Sequence, residues 1–189
     1  MASMNRVHQW ICSSDKWARG VERNLLPWAL DGVELGTETL EIGPGYGATT
    51  RVLERRVPGR LSVLEVDAEF AKNLQKTYAD RVEVVHGDGT SMPFPDGAFD
   101  AVVCFTMLHH VPSPGQQDRL FAEARRVLRP GGVFAGCDGR ASVLFRLLHL
   151  GDTYVPVPPE TLPQRLRAAG FGPADVALTK GRFRFHATR

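Results

Sequence analysis

The 189-residue chain carries 23 Lys and Arg against 21 Asp and Glu, a net charge of +2, and 43% of its residues are hydrophobic. That is one domain's worth of core-forming material, and the even charge argues against nucleic acid held by excess positive charge. Nineteen Gly, thirteen Pro and three widely spaced Cys exclude a collagen-like, broadly disordered or disulfide-stapled chain.

Residues 1–30 read as helical and amphipathic. Ser13, Ser14 or Asp15 is placed to cap a helix through Trp17, Val21, Leu25 and Leu26, which Pro27 interrupts or restarts. A strand is expected over Glu38–Ile42, followed by the turn Gly43-Pro44-Gly45-Tyr46-Gly47 and a helix from about Ala48 to Arg56. Leu61–Glu65 is the next strand. Asp67 stands at the N-cap of a helix carrying Phe70, Leu74 and Tyr78. Val82–Val85 is a third strand, Pro93 and Pro95 mark a loop, and Phe99–Phe105 is apolar enough to be buried on both faces. Leu120, Ala124, Val127 and Leu128 have helical spacing, stopped by Arg129-Pro130-Gly131-Gly132 before a fifth strand, Val133–Cys137. Segment 138–160 is less regular. A helix Glu160–Ala169 ends at Gly170, and Val176–Leu178 and Arg182–Ala187 alternate around Lys180-Gly181 as a closing hairpin. Strands alternating with helices give an α/β, doubly wound and mostly parallel sheet with an antiparallel C-terminal pair.

The longest apolar run, 101–108, falls short of the ~18 residues of a membrane span, and the N-terminal residues lack the apolar stretch of a secretory signal. Cys12, Cys104 and Cys137 have no zinc-ligand spacing and suit a reducing interior. A cytoplasmic protein with no membrane partner is the expectation.

The glycine turn carries the chemistry. Glycines at 43, 45 and 47 follow a strand and open a helix, which lets a ligand approach the backbone closely. The spacing is neither the dinucleotide fingerprint G-x-G-x-x-G nor a phosphate loop. Glu41, just before it, repels a pyrophosphate and attracts a cation or an amine. Glu65 ends the second strand at the distance where an acid grips ribose hydroxyls in doubly wound sheets; Asp67 is its rival, better suited to capping. Asp88, in His86-Gly87-Asp88-Gly89-Thr90, lies on the same carboxyl edge, where it accepts from an exocyclic amine or closes an Asx turn, and Gly89 N–H donates to a ring nitrogen. Three acids with no basic phosphate site fit a cationic nucleoside bearing an amine.

Segment 40–137 resembles the class I, Rossmann-like S-adenosylmethionine-dependent methyltransferases, in the subset acting on small molecules. Glu41 to Gly47 looks like their glycine motif, Glu65-Val66-Asp67 their ribose-binding strand end, and Gly87-Asp88-Gly89 their adenine motif. Phe94 to Val103, Leu108-His109-His110-Val111 and Arg126 to Gly132 also match. The resemblance implies S-adenosylmethionine as cofactor, S-adenosylhomocysteine as product and a seven-stranded sheet. It implies that Glu41, Gly43, Pro44, Gly45, Tyr46 and Gly47 hold the methionine part, Glu65 the ribose, Val66, Asp88 and Gly89 the adenine, and that Phe105 approaches the sulfonium. It also implies one domain over 1–189: an N-terminal helical lid (1–35), a cofactor core (36–138), and an acceptor-side segment with closing hairpin (139–189).

Methyl transfer is an in-line displacement, and an oxygen or protonated-amine acceptor needs a base. His109, His110, Asp138 and His149 are candidates, with His110 chosen; packing or turn roles explain the histidines as well. His149 and Asp152 share a helix face, but no third ligand accompanies them, so no metal is expected. Cys104-Phe105-Thr106-Met107 lacks the Asn/Asp-Pro-Pro-Tyr/Phe of enzymes that methylate base amines in nucleic acid. A small-molecule acceptor is the leading expectation, an RNA or protein methyltransferase or a non-catalytic cofactor-binding module the alternatives, as a monomer or homodimer. Trp10, Trp17 and Trp28 either lid the cofactor or staple the N-terminal helix to the sheet.

Overall fold

Strands apolar on both faces dictate a sheet that is covered on both sides. The structure, a computed structural model describing residues 5–189, has strands β1 (Glu38–Ile42), β2 (Arg60–Glu65), β3 (Glu83–His86), β4 (Phe99–Phe105), β5 (Leu128–Gly139), β6 (Ala174–Thr179) and β7 (Arg182–Thr188). They form one seven-stranded sheet in the order β3-β2-β1-β4-β5-β7-β6. β1 to β5 are parallel, and β7 inserts antiparallel between β5 and β6. The chain reverses its direction of travel across the sheet at β1 and β4, so a crevice opens at their carboxyl ends, where ligands of such sheets bind.

Side-chain alternation assigns each face its helices. Leu40, Ile42, Leu64, Val102 and Cys104 face one cluster, completed by Leu120, Phe121, Ala124 and Val127 of α6 (Pro114–Val127) and Leu162 and Leu166 of α8 (Leu162–Ala168). Leu61, Val63, Val103 and Phe105 face the other, completed by α4 (Thr50–Arg56), α5 (Ala68–Tyr78) and the N-terminal helices. Those helices are α2 (Asp15–Gly20), a wider i→i+5 turn at Val21–Leu25, and α3 (Leu26–Ala29), with α1 (Arg6–Cys12) preceding them. Of the three candidate caps, Ser14 accepts from Trp17 N–H. Val21, Leu25, Leu26 and Ala29 are buried, with Trp17 and Trp28 packed against their cluster; these two tryptophans staple the segment to the sheet, while Trp10 is 72% exposed. Residues 1–4 of the expected helical segment lie outside the described residues.

Two elements differ from expectation. β5 starts at Leu128, directly after α6, because its pairing with β4 slips between Phe99 and Ala101 and a bulge absorbs 129–132. A further helix, α7 (Val143–Leu148), is capped by Ser142, whose Oγ accepts from Phe145 N–H. It has no buried stripe, since Val143, Leu144 and Leu147 are exposed, so its residues give no apolar period to read.

Phe134 of β5 is fully buried among Phe121, Phe171 and Phe185, with ring centroids at 6.0, 5.6 and 5.1 Å. Phe134→Ala is expected to cost about 3–5 kcal/mol, read from the urea midpoint at unchanged slope; a loss under about 1 kcal/mol would show that the site collapses without a cavity.

Candidate functional site

The turn after β1 is strapped from three sides. Gly43, Gly45 and Gly47 have φ of +67°, +53° and +76°, a region glycine enters without the Cβ clash. Gly43 N–H donates to Leu64 O (2.9 Å), Gly45 N–H to Glu65 Oε2 (2.9 Å), and Tyr78 Oη–H to Gly47 O (3.0 Å). A Cβ on Gly47 would stand 2.8 Å from Leu74 Cδ2. Glu65 Oε1 accepts from Asp67 N–H (3.0 Å). Burial raises the Glu65 carboxyl above its ordinary range, against these N–H bonds. Asp67 is spent as the α5 cap, accepting from Glu69 and Phe70 N–H at 2.9 and 3.1 Å. Both acids line the cleft: Glu65 is anchored by two backbone N–H groups, and Asp67 uses one oxygen as a cap.

Glu41 is corrected. Its side chain is 1% exposed and is turned beneath the loop, accepting from Thr49 Oγ1–H and Thr50 Oγ1–H (2.6 Å to the latter). It braces the start of α4 rather than meeting a ligand. Burial, only partly offset by the two hydroxyls, pushes its carboxyl up to about 7.

Most of the remaining expected residues converge. Gly43, Pro44, Gly45, Tyr46, Glu65, Val66, Asp88, Gly89 and Phe105 all line one cleft of about 620 Å³ at the carboxyl ends of β1 to β4. Gly47 stands behind this wall, packed on Leu74 and Tyr78. Val66 is 60% exposed, offering an apolar face. Asp88 does close an Asx turn, accepting from Thr90 N–H (2.7 Å). Gly89 is closely packed: a Cβ there would lie 3.1 Å from Leu120 and 3.2 Å from Ile42. Thr106, next after β4, also lines the cleft at φ +52°, a strained conformation for a β-branched residue. Glu65, Asp67 and Asp88 face a single cationic side chain besides the histidines, Arg182, among the described lining residues. This donor set fits a nucleoside with an amine and a cationic sulfur, and disfavours a pyrophosphate.

Residues 40–136, about half of the chain, match a family model described as a methyltransferase domain. The chain belongs to the methyltransferase-domain family. A sterol 24-C-methyltransferase of Gibberella zeae is 33% identical over 109 residues, 54% of this chain and 28% of that protein. The ubiquinone/menaquinone biosynthesis C-methyltransferase of Hahella chejuensis is 31% identical over 128 residues, 63% of this chain and 50% of that protein. The chain thus spans half or less of the length of these relatives. A crystal structure of an S-adenosylmethionine-dependent methyltransferase from Thermotoga maritima superposes with a TM-score of 0.74 at 20% identity, covering 96% of each chain. The fold is that of the class I S-adenosylmethionine-dependent methyltransferases.

One wall of the methyltransferase cleft is a histidine cluster that the sequence does not announce. Gln117, fully buried on α6, donates from Nε2 to Leu108 O (3.1 Å) and Val155 O (2.8 Å), fixing the turn after β4. His109 Nδ1 lies 2.5 Å from Asp138 Oδ1, and Asp138 Oδ2 accepts from His109 N–H (3.0 Å). His8, from α1, and His149, at the end of α7, pack against the rings of His109 and His110. His110, the expected base, lines the cleft. Its Nδ1 faces Thr153 O at 3.2 Å, and burial, with His109 and His8 beside it, pushes its pKa down to about 3. Such a ring stays neutral and takes up a proton poorly. Sequence reasoning misses His8 because about a hundred residues separate it from His110, and no local period links them.

The buried Glu41 makes a testable contribution to stability. In the fold its carboxyl keeps its proton to about pH 7, against an ordinary value of 4.5, so the native state binds more protons across that window. The contribution is complete below pH 4.5 and is lost as pH rises to 7, a change of about 3 kcal/mol. Glu41→Gln should therefore flatten the decline in urea-unfolding free energy between pH 5 and 8 relative to wild type; parallel pH profiles would refute the assignment.

Proposed function

We propose that the protein transfers a methyl group from S-adenosylmethionine to an apolar small-molecule acceptor. The observation that carries this reading is the convergence of the glycine turn, Glu65, Val66, Asp88 and Phe105 on one cleft that continues between apolar side chains. Glu65 accepts from the ribose hydroxyls, Val66 packs on the adenine, and Gly89 N–H and the Asp88 carboxylate read its edge. The glycine turn presents backbone to the methionine portion, and the Phe105 ring favours the positive sulfur. When bound, the cofactor supplies an electrophilic methyl group.

The protein's own task is alignment and exclusion of water. Ile11, Trp17, Phe70, Phe145 and Leu148 extend the cleft beyond the expected cofactor residues, and they suit an apolar acceptor better than a phosphodiester or a polar peptide. Relatives named for sterol and quinone methylation support that acceptor class. Residues from α1 lie in the cleft wall, which supports the lid role for the N-terminal segment. Among the described residues no helix is long and apolar enough to cross a membrane.

Calorimetric titration with S-adenosylhomocysteine is expected to give micromolar binding. Glu65→Ala should weaken it by about 1.5–3 kcal/mol, the contribution of a hydrogen bond to a charged group, or roughly 10- to 150-fold. Unchanged affinity would remove Glu65 from the ribose site. Labelled methyl transfer to a panel of lipophilic phenols, quinones and sterols tests the acceptor, and tight cofactor binding without turnover on any panel would favour a non-catalytic module.

A further inference from the structure

We propose that His8, His110 and His149 form a binding site for one divalent transition-metal ion of the zinc class, at the edge of the cleft. One ligand nitrogen from each of the three rings lies within 4.8 Å of the other two. His8 and His149 are 7% and 3% exposed, and His110 is partly buried.

The orientation of the rings is set by oxygen acceptors behind them. His8 Nδ1 lies 2.9 Å from Asp152 Oδ2, His110 Nδ1 3.2 Å from Thr153 O, and His149 Nδ1 2.7 Å from Phe145 O. An oxygen acceptor at each Nδ1 assigns the hydrogen there and leaves a lone pair on each Nε2, that of His149 lying beside His109 Nε2. Metal-bound histidines are held in this way, with the second ring nitrogen donating to a carboxylate or carbonyl. Asp152 is itself fixed by Asn5, whose backbone N–H donates to Oδ1 and whose Nδ2 donates to Oδ2 (3.3 Å).

Ring separations agree. The centroids lie 5.3 Å apart for His8 and His110, 4.5 Å for His8 and His149, and 5.4 Å for His110 and His149. With a metal–nitrogen bond of about 2.0–2.1 Å, an ion sits about 3.2 Å from each centroid, and these separations correspond to angles of roughly 90–115°. Closure moves each nitrogen by about an ångström or less, well within ring rotation.

His109 stands beside the three ligands rather than among them: its Nδ1 faces Asp138 Oδ1, and its Nε2 lies 3.0 Å from His149 Nε2, a contact that His149 exchanges for the metal. Imidazole donors select zinc, copper, nickel or iron over magnesium or calcium. Three protein ligands leave a fourth position, and since His8 and His110 line the cleft, it is available to water or to a donor atom bound there.

Full-length protein dialysed against a chelator is titrated with Zn²⁺ by calorimetry and with Co²⁺ by visible absorption. One ion per chain with micromolar or tighter affinity is expected, with a cobalt spectrum of low coordination number. His8→Ala and His149→Ala should each weaken binding roughly 100-fold or more, and Asp152→Asn about 10- to 100-fold through the orientation of His8. His186→Ala, on β7 and outside the cluster, should bind as wild type. Far-UV circular dichroism checks each variant, and imidazole nitrogen shifts on adding Zn²⁺ to the wild type test the same ligands without mutation. No binding, or binding equal in His8→Ala, His149→Ala and wild type, overturns the site. S-adenosylhomocysteine titrated into the same samples separates the two readings: cofactor without metal removes only the metal site, and metal without cofactor removes only the reading of the cleft.

Discussion

The ligand edge depends on one buried carboxylate. Glu65 takes an N–H from Gly45 on one oxygen and from Asp67 on the other, so the ends of β1 and β2 and the start of α5 are tied through a single side chain. Each bond also offsets the burial of the charge. Without it, Gly45 N–H and Asp67 N–H would each lose an acceptor, leaving the turn held only by its bonds at Gly43 and Gly47. The same group that would read a ribose diol therefore also builds the surface on which the nucleoside lies. A carboxylate offers about four lone-pair directions, so the bonds from Gly45 and Asp67 do not exhaust it.

Beneath this edge Glu41 supports the loop from the opposite direction. A carboxyl with almost no exposure would ordinarily be replaced by an apolar residue, but here the two hydroxyls of Thr49 and Thr50 meet it. The arrangement connects the last turn of β1 to the first turn of α4 across the flexible glycines. An acid preceding such a turn thus need not be a ligand. Its position in the sequence is shared by a brace and a binding group, and only the direction of the side chain separates them.

That ambiguity marks where the sequence ceases to be legible. The alternation of strands and helices, the two-faced burial of β4, the Asp67 cap and the placing of Glu65, Asp88 and Gly89 at strand ends follow from local period and turn chemistry, while Val66 and Phe105 enter through the family resemblance. The features that sequence reasoning does not reach have non-local causes. The bulge at 129–132 comes from the register slip against β4, α7 hides no apolar stripe, and the histidine cluster draws on α1, the turn after β4 and the end of α7. Neighbouring histidines at 109 and 110 look alike in sequence, yet one is held by Asp138 and the other by a peptide carbonyl.

The cluster also explains how the N-terminal segment is held over the cleft. Val21 to Leu30 is anchored by burial against the sheet, whereas α1 is held at its other end by polar and ring contacts: Asn5 donates from Nδ2 to Leu148 O (2.8 Å) and Leu150 O (3.1 Å), with His8 it engages Asp152, and the His8 ring packs on His110 and His149. Hydrogen bonds of this kind contribute about 0.5–1.5 kcal/mol each, less than a buried apolar helix face. An ion joining His8 to His110 and His149 would connect α1 directly to the turn after β4 and to α7. Substrate access and metal occupancy would then be linked through one histidine, which gives the distant His8 a physical reason to be in the cleft.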